Sequence, residues 1–236
     1  TMIEVKDITV TYPDGTKAID TLSFTIRDGE SVALVGANGA GKTTLLLSLV
    51  GVLPVQSGSI LVDGIELGKS TLNEVRRRVG MVFQNPDDQL FMPMIYDDVA
   101  FGPRNFGLSE EDVEKRVLSA LTELGIAHLR DRSSLKLSGG EKRMAAIATV
   151  LSMEPTTMIF DEPTAFLDPR ARRNLIQVLS RLPHSKLIAT HDLSFAAEVC
   201  PRTILIKKGR LFADGDTLEL LRDEKLMDDC GIEALR

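Results

Sequence analysis

The chain has 236 residues, 43% of them hydrophobic and 26% charged, and a net charge of −6. That is long enough to bury a sizeable core, with the composition of an ordinary soluble globular protein. The acidic balance argues against a nucleic-acid binder, which carries a basic face.

Residues 3–10 alternate apolar and polar side chains, the pattern of a half-buried strand. Tyr12-Pro13-Asp14-Gly15 reads as a turn, and residues 22–26 as a second strand. After the turn at Asp28-Gly29, the short run Ser31-Val32-Ala33-Leu34-Val35 reads as a third. A glycine-rich loop follows at once, then a helix over 43–50. Residues 58–62 and 78–83 read as further strands.

From about 85 to 148 the pattern turns helical. Ser109 with Asp112 is a variant capping box. Val113, Val117, Leu118, Leu121 and Leu124 then form one expected core-facing stripe, and Gly125 stops the helix. Strands return at 158–160, 187–189 and 203–206, with a helix over 169–182 and a tight turn at Lys208-Gly209 leading to a strand at 211–213. Strand–helix alternation at both ends, around a helical insert, predicts an α/β core carrying an α-helical lobe.

Cys200 and Cys230 are the only cysteines and form no CxxC, which reads as two reduced thiols in a cytosolic protein. No stretch approaches the run of about 20 apolar residues that crosses a bilayer. The apolar run 45–53 is broken by Ser48 and Gly51. No signal-peptide pattern is present, and Thr1 before Met2 reads as an extraneous residue. Any membrane role is expected to run through a partner.

Gly36-Ala37-Asn38-Gly39-Ala40-Gly41-Lys42-Thr43 fits the phosphate-loop pattern, and it lies between an expected strand and an expected helix. Glycines let the backbone wrap phosphates, and free N–H groups at the helix start face the anion. Lys42 is placed for the β and γ phosphates, and the Thr43 hydroxyl for Mg²⁺. The apolar strand Met158-Ile159-Phe160 ends in Asp161 and Glu162. Acids at that end of a strand sit where α/β folds bind ligands. Asp161 is placed for the Mg²⁺ shell, and Glu162 to orient or deprotonate a water. Leu137-Ser138-Gly139-Gly140-Glu141 is a second Ser/Gly turn of phosphate-binding type, leading into a helix expected over 141–151.

With these three motifs the chain resembles the ABC transporter ATPase family over about residues 2–216, and Leu137–Glu141 is similar to its signature sequence. The resemblance implies a P-loop NTPase core with an N-terminal antiparallel β-subdomain and an inserted helical lobe. The expected core is about 1–84 and 156–216, the lobe 85–155 and the short tail 217–236. It also implies that Thr44 joins the ATP-binding loop and that Tyr12 stacks on adenine. Gln84 would sense Mg²⁺ and the attacking water, His191 would contact the γ-phosphate, and Asp168 would sit at a dimer seam. The signature would close over ATP held by a second subunit, so the active unit would be a dimer. Two departures stand out. Glu141 replaces the usual Gln, and Phe166 stands where Gly is common.

The segment Phe83-Gln84-Asn85-Pro86-Asp87-Asp88-Gln89-Leu90-Phe91, followed by Asp97-Asp98-Val99-Ala100-Phe101-Gly102-Pro103, is similar to the energy-coupling-factor branch. That likeness implies an importer ATPase on the cytoplasmic face of the membrane, powering uptake of cobalt or nickel first, or a vitamin second. Its partners would be a transmembrane coupling subunit and a membrane substrate-binding subunit. The short tail favours a homodimer over a pair of different ATPases. The rival expectations are a conventional ABC transporter ATPase, a soluble ABC ATPase acting on ribosomes or DNA, and a non-catalytic nucleotide-gated protein. The 84–91 segment speaks against the first. A single cassette without a coiled-coil insert speaks against the second, and intact Lys42, Glu162 and His191 against the third.

Overall fold

The computed structural model describes residues 3–235, so Thr1 and Met2 lie outside it. The chain begins with β1 (Ile3–Thr11), β2 (Lys17–Ile26), β3 (Ser31–Val35), α1 (Lys42–Leu49), β4 (Ser57–Val62), β5 (Ile65–Glu66), α2 (Leu72–Arg78) and β6 (Val79–Val82). A helical stretch follows, with α3 (Ile95–Asn105), α4 (Glu110–Glu123) and α5 (Gly139–Leu151). The remainder is β7 (Thr157–Asp161), α6 (Pro169–Arg181), β8 (Ser185–Ala189), α7 (Leu193–Val199), β9 (Arg202–Lys207), β10 (Arg210–Asp216), α8 (Thr217–Arg222) and α9 (Glu224–Cys230).

Among the described residues the strands form two sheets. One is antiparallel, in the order β2-β1-β4-β5. In β1 the buried positions Ile3 and Val5 are followed by Ile8 and Val10, so the alternation slips by one residue. The slip coincides with a register shift and with Asp7 at φ +46°, the signature of a bulge. The second sheet runs β10-β9-β3-β8-β7-β6, parallel throughout except for β10. Strands β7 and β8 are buried at every position, as parallel strands covered on both faces must be.

One apolar cluster joins the helical stretch to this sheet: Val99, Val117 and Ile147 pack with Val35, Phe160 and Leu175. Ser109 caps α4 by accepting from the Asp112 N–H at 3.2 Å. The stripe on α4 is narrower than the sequence implies. Val113, Val117, Leu121 and Leu124 are buried, but Leu118 is exposed. Leu118 lies about 100° round the helix from Val117, and its place in the stripe goes to Ala120. Strand β6 is shorter than the expected 78–83 because Arg78 ends α2.

Residues 217–235 pack onto the body. Leu221, Met227 and Cys230 are buried, and the Leu235 N–H donates to the Leu221 carbonyl at 2.7 Å. Both cysteines are buried free thiols, and burial pushes Cys200 up to about 12. Among the described residues no helix is long and apolar enough to cross a membrane.

Candidate active site

The parallel sheet brings the sequence motifs together at one edge. The chain leaves β3 into Gly36, β6 towards Gln84, β7 at Asp161 and β8 towards His191. These are the carboxyl ends of adjacent parallel strands, where open α/β sheets bind ligands. The resulting cleft, about 710 Å³, is lined by the loop from Asn38 to Thr44, with Tyr12, Gln84, Asp161, Glu162 and His191 around it.

The phosphate loop needs its glycines for space as well as for φ. Gly41 precedes α1 at φ +106°, and a Cβ there would lie 2.6 Å from the Ala18 carbonyl oxygen. A Cβ on Gly36 would meet the Ile206 carbonyl oxygen at the same 2.6 Å. Lys42 folds over the loop, its Nζ donating to the carbonyls of Gly36 at 2.7 Å and Ala37 at 3.4 Å. This places the one buried cation of the loop where phosphates would be held.

The Thr43 hydroxyl donates to Asp161 Oδ2 at 3.0 Å, so α1 and β7 offer two oxygens at one point. Burial, helped by the neighbouring Glu162, raises the Asp161 pKa above the usual carboxylate value, while the Thr43 hydrogen bond opposes the rise. A buried carboxylate beside a second acid gains from a cation. The Thr43 hydroxyl, the Asp161 carboxylate and the amide oxygen of Gln84, which line the same cleft, would make an all-oxygen donor set of the kind that suits Mg²⁺.

Glu162 is nearly buried and held at φ +44°, with its N–H bonded to the Ala189 carbonyl at 2.8 Å. Its Oε2 faces the Nδ1 of His191 at 2.7 Å. The turn carrying His191 is anchored behind the cleft. Asp192 caps α7 through the Phe195 N–H at 2.9 Å and pairs with Arg172 of α6 at 2.7 Å. Tyr12 stands at the rim, its hydroxyl 2.7 Å from Thr44 Oγ1, which ties the aromatic ring to the phosphate loop.

The signature residues are not brought into this cleft. Ser138, Gly140 and Glu141 line a separate cavity of about 680 Å³, together with Asp168, Arg170 and Arg173. Helix α5 starts at Gly139, two residues earlier than the sequence implies. Ser138 and Glu141 form a capping box: Ser138 Oγ accepts from the Glu141 N–H at 3.3 Å, and Glu141 Oε2 accepts from the Ser138 N–H at 2.8 Å. Glutamate in place of glutamine completes that box with an anion at a helix N-terminus, where it is favoured. Leu137 is buried beneath the turn, and the Ser138 O–H remains able to donate.

Asp168 caps α6 by accepting from the Ala171 N–H at 2.8 Å. Phe166, two residues before it, sits at φ +63° with 83% of its surface exposed. The backbone there asks for glycine, which accounts for the residue type expected at that position.

Sequence reasoning missed Lys208, Thr16 and Lys17, which also line the cleft. The Lys208-Gly209 turn reaches it because the Gly209 N–H donates to the Ala40 carbonyl at 2.9 Å. That is a long-range contact with no local signal.

The ABC transporter family profile matches residues 19–165. The chain belongs to the ABC transporter family. Among its relatives, a putative ABC transporter ATP-binding protein of Geobacter sulfurreducens is 51% identical, over 98% of this chain and 93% of the relative. An energy-coupling factor transporter ATP-binding protein, EcfA, of Methanothermobacter thermautotrophicus is 42% identical, over 96% of this chain and 74% of the relative. The structure of cbiO1 from Clostridium perfringens, described as part of the ABC transporter complex cbiONQ, superposes with a TM-score of 0.86 at 37% identity, covering 96% and 93% of the two chains. A dimeric ATP-binding cassette, MJ0796, in a post-hydrolysis state with ADP and Pi, superposes with a TM-score of 0.80 at 27% identity, covering 91% and 98%. The chain is therefore an ABC ATPase, a P-loop NTPase cassette of mixed α/β fold that binds and hydrolyses ATP.

Proposed function

We propose that the chain is the ATPase subunit of an importer of the energy-coupling-factor type. The observation that supports the ATPase mechanism is that Lys42 and Ser138, each in a turn of phosphate-binding type, line different cavities of one chain. Two chains arranged head to tail would bring each Lys42 cleft against the other chain's Ser138 turn and complete two composite sites.

In each site the loop from Gly36 to Thr44 cradles the phosphates, Lys42 turns from its own carbonyls to the β and γ phosphates, and Tyr12 covers the base. Thr43, Asp161 and Gln84 would hold Mg²⁺, which supplies charge neutralisation on the phosphates when bound. Glu162 takes a proton from the attacking water or orients it. His191, fixed by Glu162 through Nδ1, directs its other ring nitrogen into the cleft. Ser138, Gly139 and Gly140 of the second subunit close the site at the start of α5, where free N–H groups favour an anion. Asp168 lies beside that turn, at the seam between the subunits.

Support for the importer type comes from the likeness to EcfA and cbiO1 and from the segment between β6 and α3. There Asp88 borders a groove of about 650 Å³ that has Leu47, Phe83 and Phe166 in its wall and adjoins the nucleotide cleft at Thr43, Gln84 and Asp161. Phe91 and Phe101 stack edge to face at 5.1 Å on the exposed surface nearby. A transmembrane coupling subunit offering an arginine to Asp88 and apolar side chains to this face would place the ATPase at the cytoplasmic side of the membrane. The cargo is a transition-metal ion, cobalt or nickel, ahead of a vitamin. Its recognition belongs to a membrane substrate-binding subunit.

The test is to purify the chain from its native membranes under mild detergent and identify what accompanies it. A coupling subunit and a small substrate-binding membrane protein are expected, with ATP-dependent cobalt or nickel uptake in reconstituted vesicles. Ribosomes, DNA or no membrane partner would overturn the importer reading.

A further inference from the structure

Among the described residues Arg143 is the largest of the fully buried side chains. It lies on α5, the helix that Ser138 opens. A buried arginine ordinarily meets a carboxylate. Here the guanidinium meets main chain: Nη1 donates to the Phe83 carbonyl at 2.7 Å and Nη2 to the Gln84 carbonyl at 2.6 Å. Its Nε is buried without a partner. Burial pushes the group down to about 10, so it is still a cation at neutral pH.

The same segment is gripped twice more from α5. Gln89 accepts from the Phe83 N–H at 3.1 Å and donates to the Ala146 carbonyl at 2.9 Å and the Thr149 hydroxyl at 2.7 Å. Lys142 pairs with Asp87 at 2.6 Å. Gly80 lets α5 lie directly on β6, since a Cβ there would fall 2.2 Å from Val150 Cγ1.

A desolvated cation with carbonyl partners is a costly way to fill a core. An apolar side chain of similar length fills the same space without that cost. What the guanidinium adds is direction, because its planar fork fixes two successive carbonyls at once. Those carbonyls flank the α-carbon of Gln84, a residue that lines the same cleft as Thr43, Asp161 and Glu162.

We propose that Arg143 is a positioning residue for ATP hydrolysis: it locks the backbone at Phe83 and Gln84 to the signature helix, so that closure of Ser138–Gly140 on one nucleotide sets the Gln84 amide at the other. This rests on the role given above to Gln84. The lock needs no contact between Arg143 and nucleotide, and it makes α5 and the 83–89 segment move as one body.

Arg143→Met, Arg143→Lys, Gln84→Ala and the double variant Arg143→Met/Gln84→Ala of the whole chain test this. The readouts are kcat, KM for ATP, thermal unfolding and hydrogen exchange at residues 83–89. Arg143→Met is expected to fold and to keep KM within about twofold. Its kcat should fall about 10- to 100-fold, the scale of a misplaced reacting group. Arg143→Lys should be intermediate, and the double variant should match Gln84→Ala, because the two act in series. Faster exchange at 83–89 should accompany the loss. Wild-type kcat in Arg143→Met, with Gln84→Ala impaired, overturns the lock and leaves the Gln84 role standing. So does a double variant whose losses multiply. Wild-type kcat in Gln84→Ala removes the Gln84 role and with it the proposal, whatever Arg143→Met does. Should Arg143→Met fail to fold, Arg143→Lys carries the same comparisons.

Discussion

A single carboxylate oxygen of Glu162, Oε2, accepts from the main-chain N–H of His191 at 3.1 Å and from its ring Nδ1 at 2.7 Å. Both donors come from the turn after β8, so the carboxylate at the end of β7 is aimed by the next strand of the sheet. Glu162→Gln keeps the size but loses the basicity and one acceptor. Turnover is expected to fall about 10²- to 10⁴-fold, with ATP binding kept and an ATP-stabilised dimer accumulating. Steady-state hydrolysis alongside size-exclusion chromatography in ATP checks this. Near-wild-type turnover contradicts the assignment of the base.

Asp161 carries a raised pKa because it is buried beside Glu162. Its folded value therefore lies above its unfolded one. The stability it contributes is fully present below the ordinary Asp value of about 4 and is lost as pH rises through the raised value. Asp161→Asn removes that loss. The nucleotide-free variant should melt higher than wild type at neutral pH, and the gap should close as pH falls towards 4. Mg²⁺-dependent nucleotide binding should be lost in the same variant. Calorimetry across pH with and without Mg-ATP measures both, and a gap that widens on acidification contradicts the account.

Phe166 combines a left-handed backbone with an exposed ring. Phe166→Gly relieves the backbone at little cost in packing within the chain, since 83% of the residue's surface is exposed. A monomer stabilised by up to about 1 kcal/mol is expected, the αL penalty less the extra unfolded-state freedom of glycine. Denaturant unfolding without nucleotide measures it, and a destabilised monomer would show that the ring packs within its own chain.

The legible parts of this molecule were those whose signal is local. The phosphate loop follows from glycine spacing after an apolar strand. The end of β7 follows from Asp161 and Glu162 after Phe160. The cap of α4 follows from Ser109 and Asp112. What escaped was set by contacts distant in sequence. Helix α2 carries one buried residue, Val75, among three arginines, so it has no apolar stripe to read. Strand β2 begins at Lys17, well before the apolar run, because its first residues pair with Thr11 and Val10. Arg143 looks like a solvent-facing helix residue until the carbonyls of Phe83 and Gln84 are placed beside it.

Asp87 and Asp88 look equivalent in sequence as partners for an arginine of the coupling subunit, yet the fold separates them. Asp87 already pairs with Lys142, while Asp88 faces the groove beside Phe83. Asp88→Ala should therefore weaken capture of the coupling subunit more than Asp87→Ala does. Losing one partner of a buried charge pair costs about 2–5 kcal/mol, against about 0–1 kcal/mol for an exposed pair. The ATPase dimer freed of the coupling subunit should still hydrolyse ATP in both variants. Pull-down with parallel ATPase rates decides, and equal capture by both variants and wild type would discard the docking role.

Under the proposed function each working site is shared between two chains, one giving Lys42 and the other Ser138. Lys42→Ala removes the cation of the phosphate loop, and Ser138→Arg blocks the signature turn; each alone should be inactive. Mixed in one solution, the two variants form dimers with one site carrying both lesions and one carrying neither. Measuring ATP hydrolysis as the two are titrated together tests the claim most directly. Activity that rises above either parent and peaks near equal amounts is the result expected. A mixture no more active than its parents, although mixed dimers form, would contradict it.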